Sequence, residues 1–161
     1  MVFNATMVDF KDMESSFLTT CFVQEELIKG CFIDGQCENW IVIYDLGKMG
    51  VSELPMSAIK NISQRISLHY GGRLFRMYIV NAPGTIWFTW KIASAFLDPV
   101  TVDKIKLSKT NTDKAMLEHI DPSQFEQKYG GAQPNRTQYW YSSPHAGPSP
   151  SPKQSTTKRG W

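Results

Sequence analysis

An α/β fold with a mostly parallel sheet is what this sequence predicts, on three observations. Residues 40–44 (WIVIY) form a short β-branched and aromatic run, the pattern of a strand buried on both faces. Residues 76–80 form a second such run, and between the two Ile59, Ile62 and Ile66 recur at helical offsets. Strand, helix and strand in that order are the signature of a right-handed crossover between parallel strands.

The elements follow in chain order. Residues 2–10 are mixed and carry no clear period. Residues 12–29 predict a first helix, with Phe17, Leu18, Cys21, Phe22 and Ile28 inward, Glu25, Glu26 and Lys29 outward, and Gly30 as its stop. A turn at 34–36 leads into the strand at 40–44. Residues 47–50 form a loop, Ser52 is a candidate cap, and residues 56–68 make the second helix. The strand at 76–80 is broken by Asn81-Ala82-Pro83. A helix-length run then spans 85–97, with Lys91 its only formal charge.

That run has no polar side. A helix that is apolar nearly all round is buried or meets an apolar partner. Its thirteen residues rise only about 20 Å, against about 30 Å for a bilayer core, so it cannot span a membrane but can lie against lipid or wall an apolar pocket. Asp98-Pro99 ends it and starts another turn. Residues 104–107 (KIKL) read as a short strand, and residues 112–120 as a surface helix with Ala115, Met116 and Ile120 inward. Asp121-Pro122 caps a last turn before Tyr129-Gly130-Gly131. From residue 142 the chain turns rich in Ser, Pro, Lys and Gly and is expected to be disordered.

Composition narrows the function. A net charge of +2 is too small to imply nucleic acid by bulk electrostatics. Cys21, Cys31 and Cys37 offer neither a disulfide framework nor a CxxC metal pair, so a reducing, cytoplasmic setting fits. His69, His119 and His145 are isolated in sequence, and a metal site is not expected. The sequence contains no GxSxG elbow, HExxH pair, phosphate loop or dinucleotide glycine fingerprint, which argues against an enzyme, and no cofactor is implied.

Several ordered blocks carry a resemblance. HYGGRLFRMYIVNAP, FLDPVTVDKIKL and QKYGG, preceded by WIVIYDL, resemble the CRAL-TRIO lipid-binding domain, and most of all the phosphatidylinositol/phosphatidylcholine transfer proteins of the secretory pathway. The likeness covers residues 40–131. It implies a parallel sheet flooring an apolar lipid cavity, helices on one side, and a gate helix over the mouth at 85–97. It implies a carrier that binds phospholipid, transfers it between membranes, and visits membranes such as Golgi or endosome only transiently, as a monomer. Trp40, Val42, Tyr78, Val80, Ile86, Trp87, Trp90 and Phe96 are then expected in the cavity and gate. Lys104 matches a lysine that contacts the inositol phosphate, where an ammonium supplies charge-assisted donors and amides of a nearby helix terminus would assist.

The departures matter as well. Members that carry phosphatidylcholine have hydroxyl residues at two positions that here hold Trp40 and Val42, which argues against that lipid and leaves phosphatidylinositol or another hydrophobic ligand. Gly71 and Gly72 replace a proline and a glutamate and should loosen that turn. A helical lobe and a first strand are expected upstream of the matched region, so residues 1–141 read as an N-terminally truncated, incomplete domain with a sheet edge lacking its partner, followed by a tail at 142–161. The rival reading is a lipid-sensing or interaction module without transfer. Read without the resemblance, Lys104 is a solvated lysine and Trp87, Phe88, Trp90 and Phe96 are core aromatics.

Overall fold

The computed structural model describes residues 1–4, 12–47 and 56–136. The candidate cap Ser52, most of the loop at 47–50 and the tail at 142–161 lie outside them. Four strands, β1 (Val2–Asn4), β2 (Trp40–Asp45), β3 (Leu74–Val80) and β4 (Ile105–Leu107), pair in the order β1-β2-β3-β4, all parallel. β2 is not an edge strand of this sheet. β1, which the unpatterned opening residues did not predict, pairs with β2 from Val2↔Ile43 to Asn4↔Asp45.

Among the described residues five helices connect and flank the strands: α1 (Met13–Cys31), α2 (Met56–His69), α3 (Ile86–Ser94), α4 (Pro99–Lys104) and α5 (Lys114–Leu117). Asp12 caps α1 by accepting from Ser15 N at 3.0 Å, and Asp98 caps α4 by accepting from Thr101 N at 2.8 Å. Gly30 does not stop α1, which runs one residue past it. Sequential right-handed crossovers in the order 1-2-3-4 return every connecting helix to the same side of the sheet. α1, α2, α3 and α4 all line one face accordingly.

The other face is covered by the C-terminal segment. There Ile43, Tyr78 and Val80 pack with Met116 of α5 and with Phe125 and Tyr129, which flank and end two short 3-10 turns (Pro122–Gln124 and Gln127–Tyr129). Tyr78 Oη donates to the Ala115 carbonyl at 2.8 Å and fastens α5 down. Asp45, buried at the end of β2, accepts from Gly47 N (2.8 Å), Asn81 Nδ2 (2.7 Å) and Tyr129 Oη (2.8 Å). A buried carboxylate with three donors is a satisfied one, and it ties β2, the β3 exit and the C-terminal turns to a single point. Gly131 closes this region. A Cβ there would overlap the Phe125 carbonyl, so glycine is required by contact.

α1 departs from its predicted orientation. Phe17 is buried, but Leu18 is 57% exposed and Phe22 54% exposed, while Gln24 is 4% exposed. The stripe that docks on α2 is Glu14, Phe17, Cys21 and Glu25. Arg65 donates to both Glu14 oxygens (2.7 and 3.0 Å) and lies 3.5 Å from the centre of the Phe17 ring; Tyr70 Oη donates to Glu25 at 3.0 Å. These contacts set the rotation of α1 and turn its neighbouring apolar stripe outward.

Candidate functional site

Alternation of side chains divides the sheet into two faces. On the helix side, the register aligns Val42, Met77 and Ile105 in one row and Phe3, Tyr44, Ile79 and Leu107 in the next. Helices α1 to α4 do not settle onto these rows. Between them lies a cavity of about 570 Å³, floored by those side chains and walled by Thr20 and Gln24 of α1, Ile62 and Ile66 of α2, and Trp90 and Ala93 of α3. Its size is that of a ligand pocket. Leu46, Ala82 and Ile86 pack over Tyr44, Ile79 and Leu107 and close one end. Burial among these groups pushes the Tyr44 hydroxyl up to about 12, so it stays neutral at any ordinary pH.

α3 forms the outer wall, and it is apolar on both sides. Ile86 and Ala93 are buried, whereas Phe88 is 71% exposed and Ile92 is also exposed. Lys60 of α2 holds its ammonium 4.7 Å from the centre of the Phe96 ring, a cation–π contact that joins α2 to the segment after α3. Sequence pattern did not single out Lys60, because nothing in spacing relates it to Phe96.

Of the residues expected here, Trp40, Val42, Ile86, Trp90, Phe96 and Lys104 line the cavity. Tyr78 and Val80 do not. They sit on the opposite face in the cluster with Met116 and Tyr129, because they are odd steps from Met77 and Ile79 along β3. Trp87 faces outward on α3, with Lys109 Nζ 5.6 Å from its ring. Lys104 lies where the cavity meets a shallow outer groove lined by Phe75, Arg76, Pro99, Val100 and Asp103. Its Nζ donates to the Leu74 carbonyl at 2.8 Å. It stands at the C-terminal end of α4, where carbonyls project, so no helix amides assist it. The added cation nearby is Arg76, 3.7 Å from Asp103, a partner that strand spacing alone could not supply.

Among the described residues no three His, Cys, Asp or Glu side chains are grouped to hold a metal, and no helix is long and apolar enough to cross a membrane. The cavity itself offers enclosure: an apolar hollow with few polar points. The family model of the CRAL/TRIO domain matches residues 1–131. The chain belongs to the CRAL/TRIO family. Within it, the chain is similar to the Sec14 cytosolic factor of Schizosaccharomyces pombe, 30% identical over 99 residues that make up 60% of this chain and 35% of that protein. It is also similar to the phosphatidylinositol/phosphatidylcholine transfer protein SFH4 of Arabidopsis thaliana, 32% identical over 55% of this chain and 15% of that protein. The chain thus spans about a third or less of these curated relatives. The crystal structure of Sfh5 has a similar fold, with a TM-score of 0.63 at 15% identity over 76% of this chain and 43% of that one.

Proposed function

We propose that this domain encloses one phospholipid, phosphatidylinositol, and passes it between membranes as α3 swings away from the cavity. The observation that carries the reading is α3 itself, which walls a hollow of about 570 Å³ and turns Phe88 and Ile92 outward. A wall that is apolar on both sides suits a gate that faces acyl chains when shut and bilayer when open. Each sheltered CH₂ is worth about 0.8 kcal/mol in either environment, so exchange between cavity and bilayer is close to balanced and needs no fuel.

Lys104 is the residue we assign to the phosphate. Its bond to the Leu74 carbonyl uses one of three ammonium donors, which leaves the others for an anionic oxygen at the junction of cavity and groove. The name of a relative already described, the phosphatidylinositol/phosphatidylcholine transfer protein SFH4, agrees with this cargo. Transfer of labelled phosphatidylinositol between vesicles tests the reading. Lys104→Ala is expected to cut the transfer rate about tenfold, the loss of one charge-assisted bond. A rate equal to wild type removes Lys104 from the site, and the absence of transfer and of any co-purified lipid in native mass spectrometry favours a module without cargo.

A further inference from the structure

The cavity wall contributed by α1 is not made like the others. Ser16, Thr20 and Gln24 stand four residues apart, share one stripe of the helix, and all line the cavity. Thr20 Oγ1 donates to the Ser16 carbonyl at 2.9 Å, which leaves its oxygen able to accept. Gln24 is different: 96% of it is removed from solvent, and its Oε1 has no hydrogen-bond partner among the described residues. Buried side-chain oxygens are nearly always paired, and one left unpaired costs free energy. Facing it across the hollow are Val42, Tyr44, Met77 and Ile79. A cargo of pure hydrocarbon would be better served by leucine at this position.

We propose that Ser16, Thr20 and Gln24 form a hydroxyl-recognition subsite, and that the lipid filling the cavity presents an alcohol to the Gln24 amide. A hydroxyl both donates and accepts, so it satisfies the amide in either orientation, whereas a phosphodiester or an ester carbonyl only accepts and leaves Oε1 unpaired. The inference rests on the carrier reading and adds to it the class of polar group the cargo bears inside the cavity. Such a hydroxyl comes from an inositol ring or from a neutral lipid alcohol, and the two are separable.

The purified full chain is incubated with phosphatidylcholine vesicles doped with phosphatidylinositol, with dehydroergosterol, or with the 3-O-methyl ether of that sterol, and retained lipids are counted by native mass spectrometry. Wild type is expected to favour the alcohol over its ether, or phosphatidylinositol over phosphatidylcholine, by about tenfold. Gln24→Leu and the closer isostere Gln24→Met are expected to abolish that preference while melting at or above the wild-type temperature, since neither buries an unpaired amide. A preference confined to the sterol pair assigns the hydroxyl to a neutral alcohol; one confined to the phospholipid pair assigns it to inositol. Equal uptake within both pairs by wild type, or a preference that survives both substitutions, overturns the subsite. A chain that retains no lipid in any arm overturns the carrier reading and the subsite with it.

Discussion

On one face of the sheet, Ile43, Tyr78 and Val80 join Met116, Phe125 and Tyr129 in a single buried cluster fastened by Asp45 and the Ala115 carbonyl. On the other, the same strands send Val42, Met77 and Ile79 into a hollow of about 570 Å³. Adjacent residues of one strand therefore serve opposite purposes. The filled face supplies cohesion, because close-packed side chains gain dispersion contacts that a void forfeits. The hollow face withholds those contacts and leaves them to be made by a ligand.

The sharpest way to break this contrast is on α3. Replacing Phe88 and Ile92 together by aspartate is expected to lower partitioning onto phospholipid vesicles by on the order of a hundredfold, from the lost burial of two apolar side chains. Urea unfolding of the same variant should shift by less than about 0.5 kcal/mol per site, as exposed positions do. Vesicle sedimentation reads the first quantity, and unchanged sedimentation would separate the outward face of α3 from membrane contact.

A matched pair of valines sharpens it next. Val80 is fully buried in the filled face and Val42 lines the hollow. Val80→Ala is expected to cost about 2.5 kcal/mol, transfer plus a new cavity, whereas Val42→Ala enlarges a space already present and should cost about 1 kcal/mol. Equal losses in urea unfolding would mean the two faces do not differ as described.

The smallest effect concerns the caps, one on each side. A hydrogen bond from Thr101 holds the Asp98 carboxyl below its ordinary 3.8 beside the hollow, and one from Ser123 does the same for Asp121 beside the filled face. Both folded pKa values are depressed, so both caps contribute above the unfolded value and are lost as pH falls through the folded one. The temperature of unfolding is expected to drop as pH falls below the ordinary 3.8. Asp98→Asn and Asp121→Asn should each flatten part of that drop; a profile that neither variant changes would locate the acid sensitivity elsewhere.

Much of this architecture was legible in pattern. The WIVIY run, the isoleucines of α2 and the run at 85–97 with its single charge each announced an element, because period and length are local properties of a chain. The Asp98-Pro99 start of α4 and the strand read at 104–107, which begins one residue later, were legible for the same reason. β1 was not, since three paired residues are too few to show a period. Nor was the inward stripe of α1: Leu18 and Phe22 look like core by composition, yet the clamp of Glu14, Phe17 and Glu25 on Arg65 and Tyr70 turns them to solvent and turns Gln24 inward.

By itself, then, the sequence determined which residues share a strand or a helical stripe, and the order in which those units follow. Periodicity says that Tyr78 and Val80 point the same way, and Met77 and Ile79 the other. Which side is filled and which is hollow follows from long-range folding: from the side to which the crossovers return their helices and from the C-terminal segment closing over the remaining face. Handed connections and long-range contacts choose between faces that are equivalent to any local pattern.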